Sequence, residues 1–212
     1  MVILGLTGSI AMGKSTAAAV FRRLGVPVHD ADRAVHRLFA KGGAAVAPIA
    51  AAFPGAVVEG AVDRAALGAM VFGDSARLKV LEGIVHPLVR LRQGRFLRCQ
   101  ARRRKRLVVL DIPLLYEEGG AARCDAVAVV SAPASLQAQR VLARPGMTPA
   151  RLQSILARQL PDREKRRRAE FVIATGLGRR HSLRRIVGIV RLLRGRRGRF
   201  WPPRPRRTQP RA

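Results

Sequence analysis

Gly8-Ser9-Ile10-Ala11-Met12-Gly13-Lys14-Ser15 constrains this chain more than any other stretch. It meets the pattern G-x-x-x-x-G-K-[ST] at every fixed position. Val2-Ile3-Leu4-Gly5-Leu6 before it reads as a buried strand, and residues 16–24 after it as a helix that Gly25 is placed to stop. A strand, loop and helix in this order present consecutive backbone N–H groups to an anion, with the positive end of the helix dipole aimed at the same point. Lys14 can reach the β- and γ-phosphates of a nucleoside triphosphate, and the Ser15 hydroxyl can ligate Mg²⁺. A glycine turn with no ligand has no need of Lys-Ser after its second glycine.

The rest of the chain reads as an α/β protein. Val26-Pro27-Val28-His29, Leu107-Val108-Val109-Leu110, Ala126-Val127-Ala128-Val129-Val130 and Phe171-Val172-Ile173-Ala174 are short continuous apolar runs separated by helical patterns. Such runs mark a parallel sheet covered on both faces, whose ligands sit beyond the carboxyl ends of the strands. With 212 residues the chain can bury one substantial core with a small appended subdomain. Residues 31–100 are too long for one crossover and read as several helices with a loop near Pro54-Gly55. Residues 144–169 are short, charged and helical, and fit a mobile lid or an ordinary surface hairpin equally well. Residues 183–193 carry apolar positions at helical spacing. From Gly195 onward Gly, Pro and Arg dominate, so 195–212 is expected to be a basic disordered tail.

The residues that follow the strands are the candidates for chemistry. After the second strand, Asp30 suits a helix N-cap and Asp32 is free to orient an acceptor hydroxyl and take its proton; spacing alone leaves capping and catalysis equally open. Asp111 closes the third strand, a position that commonly supports Mg²⁺ beside a phosphate loop. Pro113 and Leu114 could wall a pocket, and Glu117 could face substrate or solvent. Arg140 and Arg144 are four apart on one helix face and could neutralise a transferring phosphoryl group. His86-Pro87 reads as a helix start, with a structural role for the histidine.

The net charge, +28, raises nucleic acid or an anionic membrane as partner. Thirteen arginines with no acid or lysine lie in residues 179–212, which leaves +15 on the remainder. A phosphate-rich ligand accounts for part of that remainder. No apolar run reaches membrane-spanning length, Cys99 and Cys124 fit no metal spacing, and the first strand leaves no room for a signal peptide. These point to a cytoplasmic protein.

Taken together the motifs resemble the dephospho-coenzyme A kinase family, from about residue 2 to about residue 177. The matching pieces are Leu6-Thr7-Gly8-Ser9-Ile10 leading into Gly13-Lys14-Ser15-Thr16, then Leu24-Gly25, Asp30-Ala31-Asp32, His86-Pro87-Leu88, Ile112-Pro113-Leu114-Leu115 with Glu117, Gln139-Arg140, Arg158-Gln159, Lys165 and Phe171-Val172-Ile173. The resemblance implies a P-loop kinase fold with a five-stranded parallel core (1–30, 101–143, 170–194), a helical substrate-binding insert (31–100) and a lid (144–169). It implies transfer of the γ-phosphoryl group of ATP to the ribose 3′-hydroxyl of dephospho-coenzyme A, with Mg²⁺. On that template Asp32 is the base, and Lys14 and Arg140 serve catalysis. Gly8, Ala11, Met12, Gly13, Lys14, Ser15, Thr16, Arg140 and Arg144 bind ATP. Asp32, His86, Pro113, Leu114 and Glu117 meet the acceptor, and Ser15 and Asp111 the metal. A monomer acting on small molecules is expected, with no specific nucleic acid. The alternatives are another nucleotide or small-molecule kinase on the same core, or a nucleic-acid-binding protein that uses its basic surface. Ala11-Met12 replaces the family's small Gly-Ser, Pro145-Gly146 follows Arg144 where a polar residue is usual, Glu170 stands for Asp, and Thr175-Gly176 stands where Asn is usual.

Overall fold

The computed structural model describes residues 1–202, which form two compact units. One comprises Met1–Val28 and the chain from Gln100 onward; the other is His29–Cys99.

The first unit carries the large sheet. β1 (Val2–Thr7), β5 (Leu107–Asp111) and β6 (Ala126–Ser131) are buried along their whole length, as strands covered on both faces must be. The strand order is β2-β5-β1-β6-β7, with β2 spanning Val28–Asp30 and β7 Phe171–Ala174. The register places Leu6 opposite Asp111 and Thr7 opposite Val129, so the end of β1 lies between the ends of its neighbours. Helices α1 (Lys14–Arg23), α6 (Ala134–Leu142) and α9 (Arg179–Arg194) follow strands. Phe21, Ile186, Ile189 and Leu193 from α1 and α9 join Leu4, Val109 and Ile173 of the sheet in one aliphatic core. Helices α7 (Pro149–Ala157) and α8 (Asp162–Arg168) occupy the segment between β6 and β7 that reads as short and charged.

The second unit holds α2 (Ala31–Phe39), α3 (Val46–Ala52), α4 (Arg64–Val71) and most of α5 (Ser75–Arg102). A two-strand antiparallel hairpin, β3 (Val57–Val58) with β4 (Ala61–Val62), follows Pro54-Gly55, where the sequence suggests only a loop. Leu38, Ile49, Phe53 and Leu67 form its core.

Two local expectations are corrected. His86-Pro87 does not start a helix; Pro87 sits inside the continuous α5. Proline normally breaks a helix by removing a donor and crowding the carbonyl four residues back. Here that residue is Gly83, and Leu81, Ile84, Val85, Leu88 and Val89, half-buried, pack on the core on both sides of the proline. Packing on both sides of the proline outweighs its local preference. The chain also stays packed past Gly195. Gly198 lies so close to Met1 that a Cβ would stand 2.0 Å from the Met1 carbonyl oxygen, and the Arg199 N–H donates to Asp125. The tail beyond residue 202 lies outside the described residues. Among those described, no helix is long and apolar enough to cross a membrane.

Candidate active site

The phosphate loop links β1 to α1 and is pinned at both ends. At its start the Thr7 hydroxyl donates to the Pro113 carbonyl at 2.8 Å. A Cβ on Gly8 would stand 2.6 Å from the carbonyl oxygen of Val130, so β6 approaches too closely for any side chain there. At its end Gly13 takes φ +92°, a left-handed conformation that costs glycine least. Ala11 also has positive φ, +59°, which is where the family's usual glycine would sit without strain.

Three successive carbonyls of this loop are held by side chains from elsewhere in the unit. Gln137 Nε2 donates to the Ile10 carbonyl at 2.9 Å. Arg140 Nη1 donates to that of Ala11 at 3.4 Å, and Thr175 Oγ1 to that of Met12 at 2.7 Å. In a trans peptide the N–H points opposite to the carbonyl before it. Holding the Ile10 and Met12 carbonyls therefore turns the N–H groups of Ala11 and Gly13 to the other side. The Met12 N–H closes a turn onto Ser9. The first N–H groups of α1, on Lys14, Ser15 and Thr16, have no helical acceptor. No acid lies in that first turn to neutralise the helix dipole. The result is a set of amides fit for an oligoanion. The Ile10 N–H is taken up separately by Gln159 Oε1 at 3.1 Å.

Met12, unusual in this loop, is 2% exposed, and its sulfur accepts from the Ala132 N–H. It anchors the loop on the sheet core rather than disturbing it.

Lys14 and Asp111 are brought together: Nζ lies 2.7 Å from Oδ1, and Asp111 is 3% exposed. Asp111 and the exposed Ser15 supply oxygen donors only, the chemistry of a hard divalent cation. Among the described residues no group of three or more His, Cys, Asp or Glu side chains is arranged to hold a metal.

Other expected residues are placed as follows. Arg140 is half-buried against the loop, whereas Arg144 is exposed. The two do not share a helix face, because α6 ends at Leu142 and Pro145 disfavours helical geometry in the residue before it. Pro113 and Leu114 follow β5 and are half-buried. Glu117 is committed to its own unit: Oε1 accepts from the Leu160 N–H at 2.8 Å and lies 2.8 Å from Nζ of the fully buried Lys165. Burial opposes the charged carboxylate. The Lys165 ammonium, with the N–H groups of Glu117 and Leu160, outweighs burial and holds the carboxyl below its usual range. In the second unit Asp30 caps α2, its carboxylate accepting from the Arg33 N–H at 2.9 Å, and Asp32 is exposed in the first helical turn. His86 is half-buried in mid-α5.

Gln137 was not legible as a site residue, and Gln159 and Thr175 stood out only through the family resemblance, with no contact to the loop foreseen. The one available signal for Gln137 was its position three before Arg140, on the same helix face. Gln159 and Thr175 reach the loop from more than a hundred residues away, so spacing alone does not pair them with it.

The dephospho-CoA kinase family model matches residues 2–178. A dephospho-CoA kinase of Paramagnetospirillum magneticum is 67% identical over 93% of this chain and 93% of its own length. One of Mesorhizobium japonicum is 56% identical over 93% of this chain and 100% of its own length. A Thermus thermophilus crystal structure superposes with a TM-score of 0.79 at 38% identity, covering 90% of this chain and 96% of that one. The dephospho-CoA kinase of Campylobacter jejuni has the same fold, with a TM-score of 0.62 at 23% identity over 90% of this chain and 96% of that chain. A phosphate loop of this geometry, with similarity along nearly the whole chain, places the protein in the dephospho-CoA kinase family.

Proposed function

We infer that this chain transfers the γ-phosphoryl group of ATP to the ribose 3′-hydroxyl of dephospho-coenzyme A. The observation that carries the reading is the loop whose carbonyls are held on one side, leaving amides, Lys14 and the α1 dipole for phosphate on the other. Lys14 is paired with Asp111 and is assigned to exchange toward the β- and γ-phosphates when nucleotide binds. Arg140 has no carboxylate partner among the described residues and is assigned to charge developing on the transferred group. Asp32 is assigned as base. It takes the proton of the acceptor hydroxyl as that oxygen bonds to phosphorus, and the bond from phosphorus to the β-phosphate oxygen breaks to release ADP. Ser15 and Asp111 would hold Mg²⁺, which when bound neutralises phosphate charge.

Residues 144–169 are proposed as the lid and 31–100 as the acceptor-binding part. Pro113 and Leu114 are assigned to wall the acceptor site, and His86 to the acceptor side. A monomer in the cytoplasm completes the proposal. The purified protein, given ATP and Mg²⁺, is offered dephospho-coenzyme A, nucleoside monophosphates or shikimate in parallel. The reading expects a 3′-phosphorylated product from the first alone. Turnover confined to another acceptor would reject it, and tight, salt-dependent RNA binding that survives Lys14→Ala would favour a nucleic-acid role.

A further inference from the structure

Thr175 follows β7 and is fixed there by its N–H, which donates to the Ser131 carbonyl at 2.8 Å. Its hydroxyl stands between two parts of the site. The hydroxyl donates to the Met12 carbonyl at 2.7 Å and accepts from Arg140 Nη1 at 3.4 Å. Arg140 Nη2 also donates to the Thr175 carbonyl, at 3.3 Å. The side chain has little freedom to do otherwise. Its methyl carbon would lie 3.2 Å from a Cβ built on Gly13, and a β-branched residue is stiff at χ1. The methyl is therefore wedged toward the glycine, while the hydroxyl faces the carbonyl and the guanidinium.

We propose that Thr175 is a positioning residue for phosphoryl transfer, holding the Arg140 guanidinium in register with the phosphate loop. This rests on the assignment of Arg140 to the transferring group given above. A hydroxyl suits the task because it donates to a loop carbonyl and accepts from a cation at once; valine, of the same shape, does neither. The bonds from Arg140 are long, 3.3–3.4 Å, so the guanidinium is cradled and remains able to turn its donors to an anion. No acid competes for it among the described residues. Arg140 is thus aimed by neutral groups, and its full charge is kept for phosphate.

The test uses the full chain with ATP, Mg²⁺ and dephospho-coenzyme A, measuring kcat, the KM for ATP and thermal melting. Thr175→Val is expected to lower kcat about 10- to 100-fold, because a displaced transition-state donor acts on rate. The KM for ATP should change less than kcat does, since Lys14, the α1 amides and the Gln137 hold on the Ile10 carbonyl remain. Thr175→Ser keeps the hydroxyl and should restore kcat to within about threefold of wild type. In an Arg140→Ala background, Thr175→Val should cost under about threefold, because its route of action has gone. If the valine variant melts early, Thr175→Ala serves as the second hydroxyl-free variant.

A slow Arg140→Ala enzyme beside a normal Thr175→Val enzyme overturns the inference and leaves the role of Arg140 intact. So does a valine penalty that persists undiminished without Arg140, which would make Thr175 a support of the loop alone. A wild-type rate in Arg140→Ala overturns the assignment of Arg140, and this inference with it.

Discussion

The ammonium of Lys14 lies 2.7 Å from the carboxylate of Asp111, at the carboxyl end of the strand beside β1. The pair links the group expected to grip phosphate with a group expected to serve a metal. In the nucleotide-free protein each neutralises the other, so neither charge is buried alone. Lys14→Met should therefore lower stability as well as activity, by about 1–3 kcal/mol, because it removes the ammonium that faces the buried Asp111 carboxylate. Lys14→Met/Asp111→Asn should recover much of that loss while remaining inactive. Thermal melts of the three proteins check this; a single variant as stable as wild type would show that Asp111 does not depend on the pair.

Gly8→Ala should be harmful for a reason unrelated to flexibility. The new methyl would stand 2.6 Å from the Val130 carbonyl oxygen, a backbone atom that cannot swing away. Either β6 or the loop must shift, at a cost of about 1–3 kcal/mol, and ATP affinity should fall with it. Urea denaturation and calorimetric ATP titration measure the two effects. A variant with wild-type values for both would mean that the loop relaxes at no cost.

Asp32→Asn preserves size and a hydrogen-bonding oxygen but removes the ability to take a proton. If Asp32 is the base, kcat should fall by about 10²–10⁴-fold while ATP binding is retained. The same change at Asp30, whose carboxylate caps α2, should mainly affect stability, and only slightly, since Asn is also a good cap. Steady-state kinetics of the two variants tell the roles apart; near-normal turnover in Asp32→Asn rejects the assignment.

Glu117→Gln should strand the fully buried ammonium of Lys165, costing about 3 kcal/mol near neutral pH. The loss should depend on acidity in a fixed direction. The folded carboxyl lies below its usual value, so its stabilising contribution is present above the ordinary glutamate pKa. It is lost as pH falls through the lowered folded value. Urea midpoints of wild type and variant should therefore differ most near neutrality and converge on the acid side of the usual glutamate range. A gap that stays constant into acid would rule out this carboxylate as the source.

Gly8-x-x-x-x-Gly13-Lys14-Ser15, the apolar strands and the Asp30 cap were legible from the sequence because each depends on neighbours within one turn or strand. Backbone conformation, helix capping and hydrophobic period act over a few residues, so the letters alone carry them. Tertiary structure decided what local preference could not. It carried α5 through Pro87, because apolar residues on both sides of the proline are half-buried against one core. It committed Glu117 to Lys165, and it brought Gln137, Arg140 and Thr175 to three successive carbonyls of one loop. Those partners lie more than a hundred residues from Ile10, Ala11 and Met12. A parallel sheet brings such residues together only after every crossover has formed, and no spacing in the sequence records that encounter.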